Sequence, residues 1–366
     1  MINQKQKTIL FTAFEPSGDA LGAMAARGLL MQDPEIKLYG LGGKLMEESG
    51  VTLLAETTND AAMGIGAVSE IMRVKRLINL VRDWIRSNQP NIVIPVDSPA
   101  ANFPVCKVAR KSGRTILHLA APQMWAWAPW RIHKMRKLTD HVLCLLPFEP
   151  EWFQTRGVKA TFIGHPAMCN HSFKALESFT DHPRIILLPG SRASEIANNL
   201  PMQCQVFSQL QHDFPNAVAI IACREEDLER VSPLAGDIPI ISNNLPAILN
   251  WGDLALTVSG TVSLHVMRHA TPMIGMYRVG MMSRIAAKLL LNAQYRLLPN
   301  LIAGREIAPE FIPCGYMAKK IADVAHKLLA DSTAMEKQRH ALNEVTSLYE
   351  SHDPSAEAAK IILSYC

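Results

Sequence analysis

The chain has no C-x-x-C pair. Its seven cysteines are scattered and odd in number, which speaks against a disulfide frame or a zinc site and fits reduced thiols in a cytoplasmic protein. It contains no H-x-x-H or D-x-D pair, so no metal is expected, and no other cofactor is implied. A dinucleotide fingerprint and a G-x-x-x-x-G-K-[ST] loop are missing too. Gly40, Gly42 and Gly43 follow the second apolar run rather than the first, and they read as turn chemistry only. No apolar stretch reaches the roughly 18 residues of a spanning helix. The opening run is too short for a signal peptide and is followed by acidic residues. A net charge of +4 over 366 residues gives no reason to expect a nucleic-acid partner.

What is present points to a folded enzyme. Hydrophobic residues make up 48% and charged residues 19%, and the length exceeds what one core usually serves, so two domains are expected. Short apolar runs alternate with amphipathic stretches, the pattern of parallel sheets wrapped by helices. The first half offers strands at 8–13, 37–42, 91–96, 115–120 and 141–146, with a helix over 69–87. Residues 168–183 lose the rhythm and read as a polar linker. Strands return at 184–189, 217–222, 238–242, 254–259 and 272–277. The expected organisation is therefore an N-terminal Rossmann-like domain over 1–167, a linker over 168–183 and a second such domain over 184–345. A last helix over 346–366 is expected to pack back on the first domain. In such folds ligands bind beyond the strand C-termini, here in a cleft that the two domains share.

The candidate site residues all follow apolar runs. Glu15 ends the first strand, ahead of Ser17-Gly18-Asp19, which reads as the cap of a helix starting near Ala20; Gly22 would let that helix approach the sheet. Asp97 follows a run apolar enough to be buried on both faces. Partial desolvation there raises a carboxylate's basicity, so Asp97 reads as a general base rather than only the start of a turn. "HLAAPQMWAWAPWRIHKM" (118–135) carries His118, Trp125, Trp127 and Trp130. The indoles suit an apolar wall for a lipid or sugar, or equally the packing between domains, and His118 alone is most often structural. Basic residues gather at Lys107, Arg110, Lys111 and Arg114 and again at Arg131, Lys134, Arg136 and Lys137. They suit phosphorylated ligands or an anionic membrane surface, or form a merely solvated face.

In the second half, "LLPGSRASEI" (187–196) breaks a strand into a glycine turn that delivers Arg192 to a helix start, with Ser191 beside it and Glu195 following. Helix N-termini attract anions and a guanidinium grips two phosphate oxygens. "VSGTVSLH" (258–265) repeats the pattern: Ser259, Gly260 and Thr261 offer further donors. Two such turns in one domain match a diphosphate. "LPNLIAGREIAPEF" (298–311) adds a polar loop with Asn300, Arg305, Glu306 and Glu310.

In their order and wording these motifs resemble the lipid-A-disaccharide synthase family. The matching pieces are "EPSGDALGA", "VDSPAANF", "HLAAPQMWAW", "LPFEPEWF" with "FIGHP", "LLPGSRASEI", "VSGTVSLH" and "LPNLIAGRE", collinear from about residue 8 to residue 310. The resemblance implies an α/β architecture of GT-B type, two doubly wound Rossmann-like domains facing a cleft, with the UDP-sugar mainly on the second and the acceptor mainly on the first. It assigns Asp97 as catalytic base and Glu15 as a second catalytic carboxylate. The substrate- and UDP-binding set becomes Ser17, Ser191, Arg192, Glu195, Ser259, Gly260, Thr261, His265, Asn300, Arg305 and Glu306. Three departures stand out. "SGTVSLH" replaces "SGTAALE", so His265 stands where a carboxylate would meet the ribose hydroxyls. "VDSPAANF" replaces "IDAPDFN", without the second aspartate. "APWR" replaces the basic run after "WAW".

The implied reaction is inverting transfer from UDP-2,3-diacylglucosamine to 2,3-diacylglucosamine 1-phosphate (lipid X), giving a β-1,6 disaccharide and UDP without a metal. Acylated substrates imply an anionic membrane surface, reached peripherally from the cytoplasm. "GMMSRIAAKLLLN" (280–292) suits that contact, with Met281, Met282, Ile285, Leu289 and Leu290 against Arg284 and Lys288, or else is a core helix. A homodimer is a further partner state left open. The rival readings are another UDP-sugar enzyme of this fold, such as a UDP-GlcNAc 2-epimerase, and a homologue that binds nucleotide or lipid without catalysis.

Overall fold

The computed structural model describes residues 6–58, 67–169, 182–279 and 294–366, with the backbone alone at 67–71 and 127. The stretch 280–292 and most of the linker 168–183 lie outside the described residues. The chain divides into two compact units: Met1–Pro166 with Ser351–Cys366, and Ala167–Glu350.

In the first unit the elements run β1 Thr8–Thr12, α1 Pro16–Gln32, β2 Lys37–Gly42, α2 Lys44–Glu48, β3 Thr52–Glu56, α3 Ala67–Asn88, β4 Ile92–Pro95, α4 Pro99–Lys111 and β5 Thr115–Leu119. They continue α5 Met124–Trp127, α6 Ile132–Leu138, β6 His141–Cys144, α7 Glu149–Gln154 and β7 Ala160–Phe162. The seven strands are parallel in the order β3-β2-β1-β4-β5-β6-β7. Central strands are covered on both faces. Ile9 and Phe11 pack against α1 while Leu10, Val93 and Ile116 pack on the opposite side with Val81, Val105 and Phe153. Removing one such fully buried ring costs about 3–5 kcal/mol.

The second unit repeats the plan with β8 Arg184–Leu188, α8 Ala193–Asp213, β9 Val218–Cys223, α9 Leu228–Ala235, β10 Ile240–Ser242, α10 Leu245–Trp251, β11 Leu254–Thr257 and α11 Thr261–Arg268. After them come β12 Met273–Arg278, α12 Leu298–Ala303, β13 Glu310–Cys314, α13 Ala318–Ala330 and α14 Ser332–Thr346. Its six strands are parallel in the order β10-β9-β8-β11-β12-β13. The chain then returns to the first unit through α15, Pro354–Leu363. Asp353 caps α15 by accepting from Ser355 and Ala356 N–H. The Ser355 carbonyl lies against Gly28 of α1, where no β-carbon fits, and Ser355 Oγ donates to Met24 O at 2.8 Å.

Three strands were not expected from the pattern: β3, β7 and β13. Two local readings are also corrected. Asp19 does not cap α1, which starts earlier at Pro16. Its carboxylate accepts from the N–H groups of Gly43, Leu45 and Met46 at 2.7–3.1 Å and so caps α2. Gly40 and Gly42 lie inside β2 rather than in a turn, and the Met46 side chain packs against them and Gly22.

Candidate active site

Both sheets reverse their winding at one place. In the first, β1 and β4 are neighbours whose chains leave toward opposite edges; in the second, β8 and β11 do the same. Such switch points open crevices at the strand C-termini. The residues that follow these four strands are the ones the motifs single out.

Beyond β4 the backbone turns sharply. Asp97 and Ser98 both hold positive φ, 47° and 35°, a conformation that costs non-glycine residues about 1–3 kcal/mol each. The surroundings enforce it. Asn102, fully buried on α4, donates its amide to the carbonyls of Val96 and Asp97, each at 2.9 Å, and accepts from Thr12 Oγ1 at 2.7 Å. Asp97 N–H donates to Leu119 O at 2.9 Å. The turn thus holds the half-buried Asp97 at the crevice. From β1, exposed Glu15 accepts from Ser98 Oγ at 2.7 Å. Ser17 is exposed in the first turn of α1.

The residues after β5 and β6 stand beside this pair. Trp125 is half-buried and donates its indole N–H to Glu149 at 3.1 Å. Burial pushes the Glu149 carboxyl up to about 7, and the charge of Asp97 adds to the effect. Trp130 is 62% exposed; of Trp127 only the backbone is described. His118 is fully buried and burial holds its pKa down to about 4. It is therefore a neutral structural imidazole. Part of the basic cluster is spent on structure: Arg110 pairs with Asp140 and Arg136 donates to Arg156 O.

The second crevice brings arginines and carboxylates together in ion pairs. Gly190 has φ 104°, and the Glu195 carboxylate lies against its α-carbon. Glu195 is buried at 6% exposure. Its Oε2 accepts from Ser191 and Arg192 N–H, while Oε1 accepts from Arg192 Nη1 at 2.8 Å and Tyr277 Oη at 3.2 Å. Glu195 thus holds the loop N–H groups of Ser191 and Arg192. Burial and the Glu195 charge push the Tyr277 hydroxyl up, keeping it a donor. The Arg192 side chain stays 73% exposed while paired to Glu195. Arg224, at the end of β9, donates to Ser191 O at 3.1 Å and pairs with Glu226 and buried Asp227. Sequence reasoning missed it; its position one residue past an apolar run was the only signal.

After β11, Gly260 at φ 146° starts α11, with open space around its α-carbon and Thr261 exposed beside it. Ser259, half-buried before that turn, donates its hydroxyl to Arg296 O at 2.6 Å. His265 is half-buried one turn further along α11. Asn300 is fully buried; its amide donates to Ala308 O and Glu310 Oε2, and its oxygen accepts from Ile307 and Ala308 N–H. These four bonds hold the loop at 307–310 against α12. Arg305 pairs with Glu344 at 2.7 Å, and Glu306 is exposed. Among the described residues no group of three or more His, Cys, Asp or Glu could hold a metal ion. No described helix is long and apolar enough to cross a membrane.

Comparison with known proteins adds the family. The family model for lipid-A-disaccharide synthetase matches residues 9–363. The lipid-A-disaccharide synthase of Gluconobacter oxydans (strain 621H) is 33% identical over 355 residues, covering 93% of this chain and 85% of that protein. Among solved structures, the glycotransferase of kitacinnamycin is similar with a TM-score of 0.66 at 13% identity, covering 99% of both chains. A UDP-N-acetylglucosamine 2-epimerase follows at 0.60 and 10%, covering 98% of this chain and 95% of that one. These two likenesses show the fold alone, two doubly wound units of GT-B type. With a match running from β1 to the end of α15, the chain belongs to the lipid-A-disaccharide synthetase family.

Proposed function

We propose that this chain is an inverting glycosyltransferase that joins UDP-2,3-diacylglucosamine to 2,3-diacylglucosamine 1-phosphate, releasing UDP and the β-1,6 disaccharide 1-phosphate. The observation that carries the reading is the opposed chemistry of the two switch points. Carboxylates Asp97 and Glu15 stand at the first, and Arg192 with the Gly260–Thr261 turn stands at the second. Asp97 takes the proton from the acceptor's primary hydroxyl as that oxygen attacks the anomeric carbon. The bond from that carbon to the diphosphate oxygen breaks, and the charge left on UDP is met by Arg192 and the start of α11. Glu195 fixes the loop that presents Arg192. The acyl chains bring the protein to an anionic bilayer, a reading supported by exposed Trp130 beside Arg131, Lys134 and Lys137.

Incubating purified protein with both acylated precursors tests this. Equal yields of UDP and disaccharide are expected. UDP binding without turnover would indicate a non-catalytic homologue, and a 2-epimer as product would indicate an epimerase.

A further inference from the structure

Glu149 begins α7 and is 2% exposed. Its Oε2 accepts from the N–H groups of Leu145 and Leu146 at 3.2 and 3.1 Å. That closes the turn between β6 and α7 and needs only one oxygen. The other oxygen, Oε1, reaches out of the element and accepts from Trp125 Nε1 at 3.1 Å. Phe148 meets the same indole edge-on, ring centroids 5.0 Å apart. The segment that carries Trp125 leaves β5 at Leu119, whose carbonyl accepts from Asp97 N–H. One continuous set of contacts therefore runs from the Asp97 turn through the end of β5 to Trp125 and Glu149.

We propose that Glu149 is a positioning residue for the acceptor side of the reaction: its carboxylate fastens the Trp125 indole as a fixed wall of the site served by Asp97. The proposal rests on the reading of Asp97 as base. The ionised carboxylate is the form that accepts all three bonds at once, at the cost of burying its charge. Three N–H donors face two oxygens, so a glutamine would turn its own NH₂ against either the indole or the backbone. A protonated carboxyl has the same defect. The charged and titratable groups facing Glu149 are Asp97 beyond β4 and the Cys144 thiol of β6, which burial and Glu149 together push up and keep protonated. With Glu149 itself raised to about 7, the indole is released on acidification through neutrality.

The test follows tryptophan fluorescence of the full-length protein without substrate from pH 5 to pH 9. A titrating component with a midpoint near neutrality is expected in the wild type and absent from both Glu149→Gln and Trp125→Phe. In kinetics at pH 8, each variant should lower kcat/KM for the acceptor by about tenfold with the donor KM unchanged, and the double variant should be no worse than either single one. Effects that add, or a donor KM that moves in step, would overturn the proposal, as would a wild-type signal that does not titrate. Trp125→Phe leaves the buried carboxylate in place and carries both readouts if Glu149→Gln does not fold. Full turnover by Asp97→Asn would remove the base and leave the fluorescence result standing, so the two failures are distinguishable.

Discussion

Ser98 Oγ donates to Glu15 Oε1 over 2.7 Å, a bond that crosses the switch point between β1 and β4. Ser98 is in turn part of the left-handed pair whose other member is Asp97. One hydroxyl therefore couples the position of one carboxylate to the backbone that aims the other. The coupling is local: both residues are within the first unit, and it needs neither substrate nor the second unit to form.

Ser98→Ala should separate positioning from stability. The bond lies toward solvent, so its loss is expected to cost no more than about 1 kcal/mol, while an unanchored Glu15 lowers kcat by roughly tenfold. Melting curves and steady-state rates together check this. Unchanged kcat would show that Glu15 needs no help from Ser98.

Asn102→Ala attacks the same turn from beneath. Truncation leaves Thr12 Oγ1 and the carbonyls of Val96 and Asp97 without their buried partner. A loss of about 3 kcal/mol is expected in urea denaturation, with activity falling beyond what the folded fraction explains. A stability loss under ~1 kcal/mol would mean that water replaces the amide.

Which parts of this were legible in the sequence follows from burial. Strands covered on both faces, such as β1, β4 and β8, announce themselves as apolar runs. The three that escaped, β3, β7 and β13, are all edge strands, and "TLLAE", "ATF" and "EFIPC" are only partly buried. Their pattern is weak because one side meets no neighbour. The site divides the same way. Asp97 and Arg192 follow buried strands and could be placed by motif. What Glu195, Asn300, Asp19 and Ser259 do depends on partners that only the folded chain brings within reach. Asn102 and Glu149 were passed over because an amide or carboxyl inside a helix gives no local sign of its burial.

Arg192→Ala should weaken UDP more than UMP, and UMP more than uridine, because the proposed contact is with the diphosphate. Tyr277→Phe removes one donor to Glu195 without touching Arg192 and should show a milder version of the same order. Calorimetric titration of the three ligands checks it. Equal losses for all three would give Arg192 a folding role.

Glu149 sets a pH dependence of stability with a definite sign. Its folded pKa of about 7 lies above the ordinary 4.5, so its contribution is full below pH 4.5 and lost as pH rises through 7. Relative to Glu149→Gln, the wild type should lose about 3 kcal/mol over that window. Urea denaturation of both proteins at pH 4.5 and pH 8 measures the difference. A constant gap between them would show that the carboxyl titrates normally.

His265 stands where the resemblance expects a carboxylate. It is half-buried on α11, one turn beyond Thr261 and the Gly260 turn, at the position that the resemblance assigns to the ribose hydroxyls. An imidazole accepts one hydrogen bond through its unprotonated nitrogen, whereas a carboxylate accepts from both ribose hydroxyls. His265→Glu should therefore hold or raise the affinity for UDP and for uridine alike, since the contact is with the sugar rather than the phosphates. The side chain is not sealed from water, so the new charge should leave the melting temperature within a few degrees, unlike a carboxylate stranded in the core. Titration of both ligands into both proteins, with melting curves alongside, decides it. A fall in affinity at unchanged stability would mean that this helix serves a different donor.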